Sequence, residues 1–96
     1  MKLKWTCLSL QDMQNLYEYI AGDNLRAAKK IISRIREAAD KLKIYPHMGK
    51  AGRVSNTRGL VIAATPYIIV YMIAEKSIQI VSVIYGVRRW PDSFKN

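Results

Sequence analysis

Cationic side chains near the ends of predicted strands are the residues best suited to binding an anionic target. The segment 49–53, Gly-Lys-Ala-Gly-Arg, combines two glycines, which let the backbone turn tightly, with two projecting cations. Arg58 begins a predicted strand, and Arg88-Arg89-Trp90 follows the last one. Arginine suits bidentate contact with phosphate or carboxylate, and an indole adds an anchoring ring. We therefore predict target-binding residues at Lys50, Arg53, Arg58, Arg88, Arg89 and Trp90.

Each of these features also has a purely structural interpretation. The segment 49–53 is then a flexible connector between two elements. Trp90 closes the core in that interpretation, while Arg88 and Arg89 are simply solvated. The sequence leaves both interpretations open.

Nucleophilic, metal and cofactor chemistry have little support in the sequence. Cys7 follows a short apolar strand, where a free thiol is usually a small core residue, and the only histidine, His47, lies in a distant predicted loop over residues 47–57. One cysteine and one histidine cannot close a zinc site. No glycine-rich loop follows a strand and opens a helix, so a cradle for nucleotide phosphates is not predicted. We predict no metal and no cofactor.

The charge distribution indicates an anionic partner. The 96 residues include 16 Lys and Arg against 7 Asp and Glu, a formal net charge of +9. Ten of the basic residues and only two acidic ones lie between Asn24 and Leu60. A field of this sign steers a protein toward nucleic acid, an acidic lipid surface or an acidic protein.

Length, cysteine content and hydropathy limit the number of domains, the disulfides and the membrane segments that the chain can have. A chain of 96 residues is predicted to form a single domain, 1–96. A single cysteine excludes an internal disulfide and fits a reducing cytoplasm. The longest apolar run, Tyr67 to Ala74, is far shorter than the ~20 residues that span a bilayer. We therefore expect a cytoplasmic protein without a membrane segment.

Two amphipathic helices are predicted to position these residues. Residues 2–6 alternate polar and apolar and predict a strand. Ser9 then resembles an N-cap, with Asp12 completing a capping box, for a helix over residues 10–21. A second helix, capped by Asp23 or Asn24, carries an apolar stripe from Ala27 to Leu42 and ends after Tyr45, before Pro46. Its opposite face is basic.

Three β-rich segments complete the predicted fold. Residues 59–64, 67–74 and 78–85 are rich in Val, Ile and Tyr. Their connections are too short for a crossover helix, so neighbouring strands must be antiparallel. The second and third are apolar on both faces, which leaves one face for the helices and one for a partner. The prediction is α+β, in the order β-α-α-β-β-β: an antiparallel sheet packed against a helical hairpin.

An ordered set of short motifs resembles a known protein family. The set runs through Trp5-Thr6, Tyr19-Ile20-Ala21, Tyr45-Pro46-His47-Met48-Gly49-Lys50, Thr65-Pro66-Tyr67-Ile68-Ile69-Val70-Tyr71 and Tyr85-Gly86-Val87-Arg88-Arg89-Trp90-Pro91. Together these motifs resemble the RelE/ParE superfamily of toxins from bacterial type II toxin–antitoxin modules, and the resemblance extends from Lys2 to Pro91. The fold it implies is the β-α-α-β-β-β arrangement predicted above.

The resemblance implies a partner and two alternative targets. Toxins of this superfamily are neutralised by a cognate antitoxin whose acidic, poorly ordered segment folds onto the toxin, giving a hetero-oligomer. RelE-like members cleave mRNA on the ribosome, whereas ParE-like members inhibit DNA gyrase. Both inhibit growth, and such modules are associated with plasmid stabilization.

The chemistry of RNA cleavage favours the ParE-like alternative. Cleavage through the 2′-OH needs a base, cations around the developing charge and an acid for the leaving oxygen. RelE-like nucleases usually supply a Tyr or His in the C-terminal tail, but residues 90–96 contain neither, and residues 60–71 contain no Lys. We therefore predict a gyrase inhibitor. In the alternative, an mRNA endoribonuclease, the catalytic candidates are Arg58, Arg88, Arg89, Tyr85 and His47.

Overall fold

Two helices packed on a five-stranded sheet make up residues 1–86, the part of the chain that the computed structural model describes. The elements, in chain order, are β1 (Lys2–Trp5), α1 (Cys7–Ala21), α2 (Leu25–Lys41), β2 (Lys50–Ala51), β3 (Arg58–Val61), β4 (Tyr67–Ile73) and β5 (Ser77–Tyr85). The strand order in the sheet is β1-β5-β4-β3-β2. Within these residues, neither helix has the length and apolar character needed to cross a membrane.

The predicted α+β class and the helical hairpin are confirmed, but the sheet is mixed rather than wholly antiparallel. Strand β1 pairs in parallel with β5, with Lys2 beside Ser77 and Trp5 beside Ile80. Short connections require antiparallel pairing only between strands that are neighbours in sequence. Most of the chain separates β1 from β5, so this pair can be parallel. The predicted loop 47–57 also contains β2, which adds a short antiparallel edge to β3.

The start of α1 differs from the predicted capping box. Thr6 is the N-cap, with its side-chain oxygen accepting from the Ser9 N–H at 3.2 Å, so the helix begins at Cys7. Cys7 is exposed in the first turn rather than packed in the core. The Ser9 hydroxyl donates back to the Thr6 carbonyl at 2.8 Å. The predicted cap at Ser9 is therefore wrong, because the threonine one turn earlier already serves that purpose.

Asp12 links α1 to the sheet instead of capping the helix. Its carboxylate accepts from the Ser82 hydroxyl at 2.5 Å and from the Val83 N–H at 3.1 Å. These bonds fall beside a bulge in β5, where Val70 pairs with Ser82 but Tyr71 pairs with Ile80. A bulge interrupts the regular ladder, so the groups near it can bond to another element.

The second helix has the predicted N-cap but ends earlier than predicted. The Asn24 side chain accepts from the Ala27 N–H at 3.0 Å. After Lys41 the N–H groups of the next three residues donate to carbonyls three residues earlier, the pattern of a 3₁₀ turn. The α-helix ends where this tighter pattern begins. Tyr45 is therefore outside the helix, in the turn that leads to Pro46.

The core lies between the helical hairpin and one face of the sheet. The fully buried side chains Ile35, Ala39 and Leu42 come from α2 and its C-cap. They meet strand residues that share the helix-facing side of the sheet: Leu3, Trp5, Leu60, Ile69, Tyr71, Ile78, Ile80 and Val83. Burial of this apolar face supplies the main driving force for the fold.

A buried tyrosine fixes the chain that follows α2. The Tyr71 side chain is fully buried, and its hydroxyl donates to the Pro46 carbonyl at 2.7 Å. The same oxygen accepts from the Gly49 N–H at 2.9 Å. A Cβ at Gly49 would lie 2.7 Å from that oxygen, so only glycine permits this approach. One hydroxyl thus holds residues 46–49 against the sheet.

We expect Tyr71→Phe to lower the free energy of unfolding by about 1–3 kcal/mol, because it leaves the Pro46 carbonyl and the Gly49 N–H without their partner. Urea denaturation measures this change. Tyr19→Phe removes the same atom from a side chain that is 79% exposed and should change stability by no more than ~0.5 kcal/mol. Equal effects in the two variants would contradict the role assigned to the buried hydroxyl.

Candidate functional site

The predicted cations of the 47–58 region lie at one corner of the sheet but on different surfaces. Lys50 pairs with Gly59, and Ala51 pairs with Arg58. Paired residues share a face, and Arg58 also pairs with Tyr71, so Arg58 lies on the helix-facing side while Lys50 lies on the opposite side. Arg53 is exposed in the loop between β2 and β3. Three cations therefore surround this corner without forming a single cluster.

Hydrogen bonds fix the loop that joins β2 to β3. The Gly52 N–H donates to the Thr57 carbonyl at 2.8 Å, and the Thr57 N–H donates to the Val54 carbonyl at 3.1 Å. The Thr57 hydroxyl also donates to the Val54 carbonyl, at 2.6 Å. Asn56 adopts a left-handed φ of 64°, a conformation that asparagine tolerates better than most residues. These contacts give the connector a defined conformation.

A cavity of about 470 Å³ opens beside this loop, with Arg58 and His47 among its lining residues. The Arg58 Nε atom is buried and has no hydrogen-bond partner within residues 1–86. Leaving a buried donor unsatisfied costs about 1–3 kcal/mol, and more when the group is charged. His47 is exposed at the cavity rim.

Of the nuclease candidates within residues 1–86, Arg58 and His47 line one cavity, whereas Tyr85 lies elsewhere. Tyr85 pairs with Tyr67 at the start of β4, whereas Arg58 pairs with Tyr71 four residues farther along. A strand rises about 3.4 Å per residue, so Tyr85 lies roughly 13 Å along the sheet from Arg58. Arg88, Arg89 and Trp90 lie outside the described residues.

The sheet face that points away from the helices is apolar on its central strands. Val61 pairs with Ile68, and Ile68 pairs with Ile84, which forms an aliphatic row across three strands. Val70 lies on the same face beside Gly59, and Val61 is 69% exposed. Lys, Arg, His, Asp, Glu and Tyr are absent from this face of β3 and β4, among residues 58–73. On the outer face, these two strands therefore present neither a cation nor a proton-transfer group.

A groove of about 740 Å³ lies at the other end of the sheet, between α1 and the start of β4. Tyr19, Tyr67 and Tyr85 line it together with Ile20 and Ile31. The rings of Tyr67 and Tyr85 meet edge to face, with centroids 5.8 Å apart. This aromatic groove did not emerge from the sequence, because Tyr19 falls outside the apolar stripe of α1 and is 79% exposed.

Burial raises the pKa of Tyr67 above its usual value of 10.0, and the neighbouring Tyr85 and Tyr19 raise that pKa further. Above pH 10 the unfolded chain loses the phenolic proton of Tyr67, whereas the folded chain retains it to higher pH. In this range the folded chain therefore binds more protons than the unfolded chain. We expect the free energy of unfolding to fall as pH rises above about 10. Urea denaturation at a series of alkaline pH values measures the slope. The slope should be smaller in Tyr67→Phe, and an unchanged slope would contradict the assignment.

Comparison with known proteins identifies relatives over nearly the whole chain. Residues 3–90 match the family described as ParE toxin of type II toxin-antitoxin system, parDE. A protein of Sinorhizobium fredii described as putative toxin Y4kP is 37% identical over 90 residues, which are 94% of this chain and 93% of that protein. Toxin RelE2 of Caulobacter vibrioides is 32% identical over 84 residues, 88% of this chain and 93% of that protein.

A solved structure shares the fold. The structure is described as the chromosomal ParDE TA system from P. aeruginosa. It superposes with a TM-score of 0.77 at 26% sequence identity, covering 86% of this chain and 92% of that one. The two helices and the mixed sheet described above are thus the architecture of a ParDE toxin–antitoxin protein.

Proposed function

The chain belongs to the family of ParE toxins of type II toxin–antitoxin systems, and we propose that it inhibits DNA gyrase rather than cleaving RNA. The observation that supports this proposal is the apolar outer face of the sheet. Val61 and Ile68 lie there, and β3 and β4 place no cation or proton-transfer group on it. Cleavage of a phosphodiester needs both kinds of group close to the scissile phosphate.

The separation of Tyr85 from Arg58 and His47 supports the same proposal. Arg58 and His47 share a cavity at one end of β4, and Tyr85 lies at the other end. An acid and a base act only within hydrogen-bond reach of the reacting atoms, about 2.6–3.2 Å or one bridging water. A separation of roughly 13 Å exceeds that reach. Arg58, Lys50 and Arg53 remain our target-binding candidates, with Arg88, Arg89 and Trp90 proposed on sequence grounds.

We also propose that an acidic antitoxin neutralises the toxin by folding onto it as a hetero-oligomer. The net charge of +9 favours an acidic segment, and exposed apolar side chains give that segment surface to bury. The aromatic groove offers one such surface, and the side chain of Tyr19, which lines it, is 79% exposed. In this proposal the module limits growth when the antitoxin is lost, which is the basis of plasmid stabilization.

We expect the purified chain to inhibit gyrase-dependent supercoiling and to leave mRNA on programmed ribosomes intact. The physical reason is that β3 and β4, within residues 58–73, place no acid–base pair and no cation on the outer face of the sheet. Plasmid supercoiling and primer extension on ribosome-bound mRNA measure the two activities. Codon-positioned cleavage fragments, together with normal supercoiling, would reject the gyrase proposal in favour of a ribosome-dependent endoribonuclease.

We expect the antitoxin encoded beside this chain to bind with a negative heat-capacity change, because coupled folding buries apolar area. Calorimetry at several temperatures measures this change. Tyr19→Ala should weaken binding by about tenfold or more, as loss of an interface anchor does. Tyr45→Ala is the matched control, because this tyrosine is also exposed (61%) but lies outside the groove. Equal losses in the two variants would argue against the groove.

A further inference from the structure

Arg58 has a hydrogen-bond donor that no other group within residues 1–86 satisfies. Its Nε–H is buried and has no acceptor within residues 1–86. The only ion pair within residues 1–86 joins Lys43 to Asp40, so Arg58 has no counter-ion in that part of the chain. Buried donors in native structures nearly always have a partner. A ligand that binds at this position is one explanation for the exception.

The residues that line the cavity beside Arg58 suit a small anionic group attached to an apolar chain. None of its lining residues is acidic, and the flanking Lys50 and Arg53 are cationic and exposed. Ala51, Met72 and Ile73 supply apolar wall, while Asn56 and Thr57 supply the polar rim. A guanidinium that lines such a space can bind a planar oxyanion through two parallel N–H bonds.

We propose that this cavity receives one Asp or Glu side chain of a partner protein, with the carboxylate on Arg58 and the methylene groups on the apolar wall. The recessed position of Arg58 favours a side chain over a nucleic-acid backbone. Successive phosphates are bound by several cations along an exposed track, whereas this cavity contains one guanidinium. The proposal goes beyond gyrase inhibition and does not depend on it, because any partner with a suitably placed acidic residue could dock here.

The hydrogen-bonded loop 52–57 prepares the cavity before a partner arrives. The bonds between Gly52 and Thr57 and between Thr57 and Val54 hold its rim in place. On the opposite side, the Tyr71 hydroxyl fixes residues 46–49 and thereby positions His47. A preformed site loses less conformational entropy on binding than a loop that must first become ordered.

Direct observation of the Arg58 side chain tests the ligand chemistry. We expect the Nε–H resonance of Arg58 in the full-length chain to shift on titration with sodium acetate, and that of the exposed Arg53 to shift much less. Sodium chloride at matched ionic strength is the control for screening. A shift with inorganic phosphate but not with acetate would overturn the carboxylate assignment, and no shift with either anion would overturn the site.

Substitutions test the role in partner binding. Arg58→Lys keeps the charge but loses the planar fork, so affinity for the antitoxin or for gyrase should fall by about tenfold or more, with an unchanged melting temperature. Arg26→Lys, the matched control, changes an exposed arginine of α2 that does not line the cavity, and it should retain both affinities. Unchanged affinity of Arg58→Lys for both partners would overturn the proposal, and so would a large drop in melting temperature, which indicates a structural role. If gyrase inhibition fails but acetate still binds Arg58, only the proposed function is rejected.

Discussion

The buried hydroxyl of Tyr71 is the contact on which the geometry of the site depends. It lies on the central strand β4, where apolar packing fixes its position, and it joins the strand to the chain after α2 through Pro46 and Gly49. Without it, two backbone groups would be buried without a partner. The same contact sets where β2 begins, because Lys50 follows Gly49 and pairs with Gly59. The cavity beside Arg58 is bounded by these elements.

A second polar contact performs a similar task on the helical side. Asp12 bonds to Ser82 and Val83, next to the bulge in β5, and the Thr6 hydroxyl donates to the Val81 carbonyl at 3.1 Å. These bonds attach the start of α1 to the strand that pairs with β1. Two of these bonds satisfy backbone groups of β5 beside the bulge, the Val83 N–H and the Val81 carbonyl. The irregular part of the sheet is therefore satisfied by side chains, and the helical hairpin gains a fixed position on it.

Most charged side chains within residues 1–86 are exposed, and few of them are neutralised by an ion pair. One ion pair, between Lys43 and Asp40, is present within residues 1–86, although the whole chain carries a net charge of +9. Self-repulsion of this kind lowers the stability of an isolated domain, and an acidic partner relieves it. The exposed groove around Tyr19 and the recessed Arg58 offer such a partner apolar and cationic contacts at opposite ends of β4. A toxin that binds both an antitoxin and a cellular target can use separate surfaces for these two contacts.

The sequence by itself determined the α+β class, the helical hairpin and the three strands β3, β4 and β5, because hydrophobic periodicity and turn residues are local properties. It also located Arg58 as a candidate and showed that residues 60–71 lack lysine. Only the tertiary structure decided that β1 runs parallel to β5, that Asp12 bonds to a strand and not to its own helix, and that Tyr85 is far from Arg58. These outcomes depend on strand register and on contacts between residues 70 or more positions apart, and no local pattern encodes either.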